Sequence, residues 1–198
     1  TMKLTTQQQV EDFVRGCTFF ATGGGGLPAN GRKSLMDELD AGREIGWVDV
    51  ADIPDSSVSV CPFLMGSIAP HDEATVKEMA SYEMTPETSV NLEGDRMAKA
   101  ILALQEYTGK KFDVVVPIEL AGANTAAAMA AAAKLGMVTV DGDYTGRAIP
   151  EIVQITYNYN GHCLTPVASI DEWGNECIIK KAINPRTVEH LGKLISVA

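Results

Sequence analysis

The stretch from Phe112 to Val140 reads FDVVVPIELAGANTAAAMAAAAKLGMVTV, and it decides the fold. Phe112 to Pro117 is an apolar run of strand length. Thr125 to Leu135 is dominated by alanine, the best helix former, and Met137 to Val140 is a second apolar run. Strand, helix and strand in that order make a βαβ unit, which requires a parallel pair with a right-handed crossover. Alanine side chains also permit close approach of the helix to the sheet.

An open parallel sheet binds ligands in the crevice outside the carboxyl ends of its strands, and both strands of this unit end in polar residues. The first gives way to Pro117-Ile118-Glu119-Leu120-Ala121-Gly122-Ala123-Asn124. Glu119 emerges there, and Asn124 is either the N-cap of the next helix or a ligand contact. The second gives way to Asp141-Gly142-Asp143-Tyr144-Thr145-Gly146-Arg147-Ala148-Ile149-Pro150-Glu151. One reading is a turn braced by an Asp143–Arg147 pair. The other is a ligand loop, because it carries more charge than a turn requires.

Grouped carboxylates raise one another's pKa and serve as a general base or hold a hard divalent cation. Asp141, Asp143 and Glu119 are therefore the expected catalytic residues, and the same three are the candidates if a divalent metal is the cofactor. Arg147 would clamp a substrate carboxylate, with Glu151 beside it. A fourth segment, Thr22-Gly23-Gly24-Gly25-Gly26-Leu27-Pro28-Ala29-Asn30-Gly31, is either a flexible connector or a backbone cradle. As a cradle, Gly23, Gly24, Gly25 and Gly26 would stabilise negative charge with their amides, and at least one would need a positive φ. Neither a P-loop ending nor a strand leading into the glycines is present, which argues against ATP and NAD.

Outward from this core, Val10, Phe13, Val14 and Cys17 mark one face of a helix capped by Thr5 or Thr6, and a second helix spans Asn30 to Ala41 with Gly42 ending it. Trp47 to Val50 and Val58 to Leu64 read as strands, Asp72 to Tyr82 and Arg96 to Tyr107 as helices. After Pro150 the pattern turns to short strands, Ile152 to Tyr157, Cys163 to Ile170 and Glu176 to Lys180, joined at Asn160-Gly161 and Trp173-Gly174-Asn175 as antiparallel hairpins. A helix from Asn184 or Pro185 through Leu194 closes the series. The expected fold is α/β, a mainly parallel sheet with helices on both faces plus a small antiparallel C-terminal extension. Residues 1–198 form one domain, with a core of about 5–150 and an extension of about 151–198.

A 45% hydrophobic composition places the 198 residues among globular domains, and the net charge of -10 with no basic run argues against nucleic acid or an anionic membrane as partner. Cys17, Cys61, Cys163 and Cys177 have no metal or redox spacing, and Cys61 and Cys163 are flanked by apolar residues that suggest burial. His71 follows a turn where a site role is open, whereas His162 and His190 read as surface residues. Ser67 lacks a nucleophile-elbow context. Polar Thr5 to Gln9 follow the N-terminus directly, so a cytoplasmic location is expected.

Cys17 to Gly26, Met65-Gly66-Ser67-Ile68-Ala69-Pro70, Glu119 to Asn124 and Val140 to Glu151 together resemble the N-terminal domain of the S-methyl-thiohydantoin desulfurase-like family. The resemblance spans about Val10 to Leu194, and departs from the family at Ala121, Ala123 and His71-Asp72. It implies a bacterial or archaeal protein tied to hydantoin or oxoproline metabolism, and a hydrolase acting on a small cyclic amide or thioamide. The carboxylates would activate water, alone or through a metal. Family members continue into a second, β-rich domain after the region matching Val188 to Val197, and that domain is expected to be absent here. A non-catalytic binding or assembly module, or one subunit of a two-chain enzyme, is the alternative. The expected partners are a small-molecule substrate and either further copies of the chain or a separate β-rich second domain.

Overall fold

In the computed structural model, which describes residues 1–66, 71–90 and 93–196, the chain opens with β1 (Met2–Leu4), α1 (Gln7–Ala21) and α2 (Pro28–Asp40). Thr6 caps α1 through a capping box with Gln9, and the apolar spacing of Val10, Val14 and Cys17 becomes the buried face. β2 (Ile45–Trp47) pairs antiparallel with β1, a strand too short to show in the sequence pattern. The expected strand from Trp47 to Val50 is thereby shifted earlier, and Val50–Asp52 is a 3-10 turn capped by Asp49.

The central sheet is β3 (Ser59–Val60), β4 (Val114–Val115) and β5 (Val138–Thr139), in that order and parallel throughout. A parallel bridge between Val48 and Val140 joins it to the β1–β2 pair. The parallel part is thus three short strands, and the apolar runs around them are longer than the paired segments. α3 (Glu73–Ser81), α4 (Glu93–Thr108) and α5 (Asn124–Leu135) fall where the sequence places helices.

α5 is buried from Asn124 through Ala132, which explains its alanines: a helix apolar on all sides is enclosed on all sides. Its Ala127, Ala128, Ala131 and Ala132 pack with Met97, Ala98 and Ile101 of α4 and with Val60 and Val115. Ala126, Met129 and Ala130 pack with Val10, Val14 and Leu35 of α1 and α2. The alanines therefore admit neighbouring helices as well as the sheet, and a Cβ on Gly94 of α4 would stand only 3.1 Å from the Ala130 Cβ. Glu38, almost wholly buried, pairs with Arg43 at 2.7 Å and braces α2 against Lys134 of α5.

Ile152 to Tyr157 is not a strand. It forms a 3-10 turn over Ile152–Gln154 and the short helix α6 (Thr156–Tyr159), so Asn160-Gly161 ends a helix rather than turning a hairpin. Ile152 and Ile155 go instead into a core with Ile118 and Val188. β6 (Val167–Ile170) and β7 (Glu176–Ile179) form the expected hairpin, and α7 (Pro185–Ile195) starts with Pro185 after an Asn184 cap. The fold is a mixed α/β arrangement with a three-stranded parallel sheet and small antiparallel pairs. Among the described residues, no helix is long and apolar enough to cross a membrane.

Candidate functional site

Glu119 is a carboxylate with a relative exposure of 3%, placed just past the end of β4. Its Oε1 accepts from Asn124 Nδ2 at 2.8 Å and its Oε2 from the Ile149 N–H at 2.7 Å. Asn124 is the first residue of α5 and does not cap it. Its Oδ1 accepts from the Leu64 N–H at 2.9 Å, so one side chain ties the chain after β3 to Glu119. Thr125 Oγ1 accepts from Ala121 N–H and donates to the Glu119 carbonyl, closing the turn between β4 and α5.

Burial pushes the Glu119 carboxyl above the usual carboxylate range, and the bonds from Asn124 and Ile149 pull it part of the way back. The Asp143 carboxylate adds a smaller upward push. Burial likewise raises the nearby Cys61 thiol, takes the Cys17 thiol to about 11 and Tyr144 to about 12.

Glu119 and Asn124 face a cleft of about 80 Å³, room for a few waters or a small ring. Its walls come from Leu64 and Met65 after β3, from Ile149 to Ile152, and from Glu189 and Lys193 of α7. Glu189 Oε2 accepts from the Ile152 N–H at 2.7 Å, while Lys193 pairs with Glu189 Oε1 at 2.8 Å. That bond first, then the charges of Glu189 and Glu151, hold Lys193 above its ordinary pKa. Glu189 and Lys193 were not singled out in the sequence. Their one signal is the i,i+4 acid–base spacing, which by itself marks a surface pair.

The structure gathers some of the expected residues and disperses others. Glu119, Asn124 and Glu151 line the cleft. Asp143 lies close enough to Glu119 to act on its charge, but its Oδ1 accepts from Thr145 N–H at 2.6 Å and from Gly146 N–H, the pattern of an Asx turn. Asp141 is exposed, its N–H bonded to Val48 across the sheet. Arg147 is exposed too and donates to the Ala148 carbonyl. Among the described residues it forms no ion pair with Asp143, so neither the brace nor a clamp inside the cleft is what its position provides.

Three of the four glycines are closely packed, and Gly23 has nothing within 4 Å of where its Cβ would be. A Cβ on Gly25 would collide with Ala121 Cβ and lie 3.0 Å from Glu119 Oε1, one on Gly26 would stand 2.7 Å from Ala123 Cβ, and one on Gly24 2.9 Å from Ala148 Cβ. Gly23, Gly25 and Gly26 have φ of +101°, +75° and +86°, so the loop needs glycine for its backbone as well as its contacts. The Gly25 carbonyl accepts from Asn124 N–H at 3.1 Å. Ala121 and Ala123 are the small residues that face this loop.

Among the described residues no group of three or more His, Cys, Asp and Glu side chains is placed to hold a metal ion. Asp141, Asp143 and Glu119 do not converge as donors, and both Glu119 oxygens are already hydrogen-bonded. Cys163, expected to be buried, is exposed, because it falls ahead of β6 rather than within a strand. His162 stacks on Tyr157, and His71 and His190 are exposed. Ser67 to Pro70 of the quoted turn lie outside the described residues.

The family described as S-Me-THD-like, N-terminal domain, matches residues 8–181. A crystal structure of a protein from Chromobacterium violaceum is similar with a TM-score of 0.71 at 24% sequence identity, a likeness that speaks for the fold alone. The match covers 98% of this chain and 50% of that one, so the chain spans half the length of the solved structure. No curated protein matches it.

Proposed function

The chain belongs to the S-Me-THD-like family as its N-terminal domain, and from that premise we propose that the Glu119 cleft binds and hydrolyses a small cyclic amide or thioamide of the hydantoin class. The observation that carries this reading is a buried carboxylate of raised pKa facing a small cleft. Such a group takes a proton from water as the water oxygen bonds to the ring carbon, and returns it to the departing sulfur or ring nitrogen. Asn124 keeps Glu119 in one orientation and ties it to Leu64. Asp143 tunes it through charge, and the glycine loop shields it from bulk water. Among the described residues Asp141, Asp143 and Glu119 do not converge as a set of metal donors, and the reading gives water activation to Glu119.

The test is to add 2-thiohydantoin and hydantoin separately and follow both the backbone amide resonances and the release of sulfide or the ring-opened product. The reading expects shifts at Leu64, Asn124 and Ile149 together with turnover. A ligand that leaves these three amides unmoved overturns it. A second reading, a domain that binds the ring while another domain or subunit supplies chemistry, rests on the chain spanning half of the matched structure. It predicts the same shifts without turnover.

A further inference from the structure

Four charged side chains line the Glu119 cleft, and three of them are carboxylates. Glu189 and Lys193 cancel each other at 2.8 Å, and the Ile152 N–H holds the other Glu189 oxygen, so Lys193 is committed within the wall. Glu119 is bonded by two neutral amides, those of Asn124 and Ile149, and among the described residues it forms no ion pair. Glu151 remains. It is exposed at the mouth, caps no helix end with its side chain and among the described residues enters no ion pair, while its charge is near enough to act on Lys193. Arg147, the nearest cation in the sequence, is exposed and donates to the Ala148 carbonyl instead.

Between these charges the walls are largely apolar, built from Leu64, Met65, Ile149, Pro150 and Ile152. A volume of about 80 Å³ takes a small ring beside Glu119, and a substituent on that ring runs out along Pro150 to the mouth at Glu151. Taking the cleft as a hydantoin-class site, and resting on that reading, we propose that it selects rings whose substituent is an apolar stem ending in a cation, an amine or a guanidine, with Glu151 as the residue that determines the preference. The repulsive half of the selection matters as much as the attractive half. An anionic substituent would meet the unpaired Glu151 carboxylate where the one lining cation already belongs to Glu189. The chain's net charge of -10 also draws any cation, so a local preference has to be separated from a global one.

The experiment titrates the protein with three 2-thiohydantoins of similar length, bearing an aminobutyl, a carbamoylpropyl or a carboxypropyl chain, and reads dissociation constants from the Leu64, Asn124 and Ile149 amides. The aminobutyl ring is expected to bind tightest and the carboxypropyl ring weakest, about tenfold apart at low salt. Glu151→Gln breaks no side-chain cap and is expected to shrink that gap to about twofold, and Glu151→Lys to reverse the order, which an unfolded protein could not do. Asp141→Asn removes the same charge from an exposed position that does not line the cleft, and is expected to keep the gap. Three rings of equal affinity, a gap that survives Glu151→Gln, or a gap lost equally in Asp141→Asn overturns the inference and leaves the hydantoin-class reading standing. Rings of every charge that leave the three amides unmoved overturn that reading, and the preference with it.

Discussion

Glu119 has two carboxylate oxygens and two fixed donors, the Asn124 amide and the Ile149 N–H. Glutamine would offer one acceptor to the two, so Glu119→Gln changes charge and hydrogen bonding at nearly constant shape. Because burial raises the folded pKa of Glu119 above the ordinary carboxylate value, the folded state holds the proton more tightly than the unfolded chain does. Its contribution to stability is present below the ordinary carboxylate pKa and is lost as pH rises through the raised value. The wild-type advantage over Glu119→Gln in urea denaturation should therefore shrink with rising pH across that window, and a flat difference would contradict the assignment. Asn124→Ala removes one of the two bonds that pull the pKa down. The limb of kcat/KM that rises as Glu119 ionises should move to higher pH, while the freed Leu64 N–H costs about 1–3 kcal/mol of stability. An unmoved limb in a pH–rate profile would separate Glu119 from the rate.

The glycine loop and α7 set the cleft at the level of elements. Gly25 and Gly42 have nearly the same backbone, φ +75° and +71°, but only Gly25 is packed against another residue. Gly42→Ala should cost about 1 kcal/mol for the left-handed backbone, and Gly25→Ala at least about 2 kcal/mol more for its collision with Ala121. Equal costs by chemical denaturation would deny the loop its packing role. Glu189→Ala leaves the Ile152 N–H without its acceptor and Lys193 without its anchor, a predicted loss of about 1–3 kcal/mol that melting curves would detect. The helices were legible because caps and spacing are local: Thr6, Gly42, Asn184 and Pro185 mark ends that the structure keeps. Ile152 to Tyr157 was not, because its β-branched and aromatic residues look the same whether a strand pairs them or a turn buries them against Ile118 and Val188. Glu119 was legible from its place at a strand end. Its partners Leu64 and Ile149, and the α7 wall, come from distant parts of the chain that no local pattern joins.

At the scale of the whole molecule, the cleft exists only where the chain after β3, the β4–α5 turn, the loop after β5 and α7 come together, so its geometry depends on the complete fold. The charged loop looked like the centre of the site in the sequence because its carboxylates and arginine stand close together there. In three dimensions Asp141 and Arg147 face solvent, and the buried carboxylate is the one from the preceding strand. The central claim is that Glu119, rather than the exposed loop, carries proton transfer on a hydantoin-class ring. The most direct measurement is the initial rate of sulfide release from 2-thiohydantoin for wild type, Glu119→Gln and Asp141→Asn, each checked for a folded spectrum. The account predicts a loss of at least about 100-fold for Glu119→Gln and a change within about twofold for Asp141→Asn. A folded Glu119→Gln protein that releases sulfide at the wild-type rate, or an Asp141→Asn protein as impaired as Glu119→Gln, would contradict it.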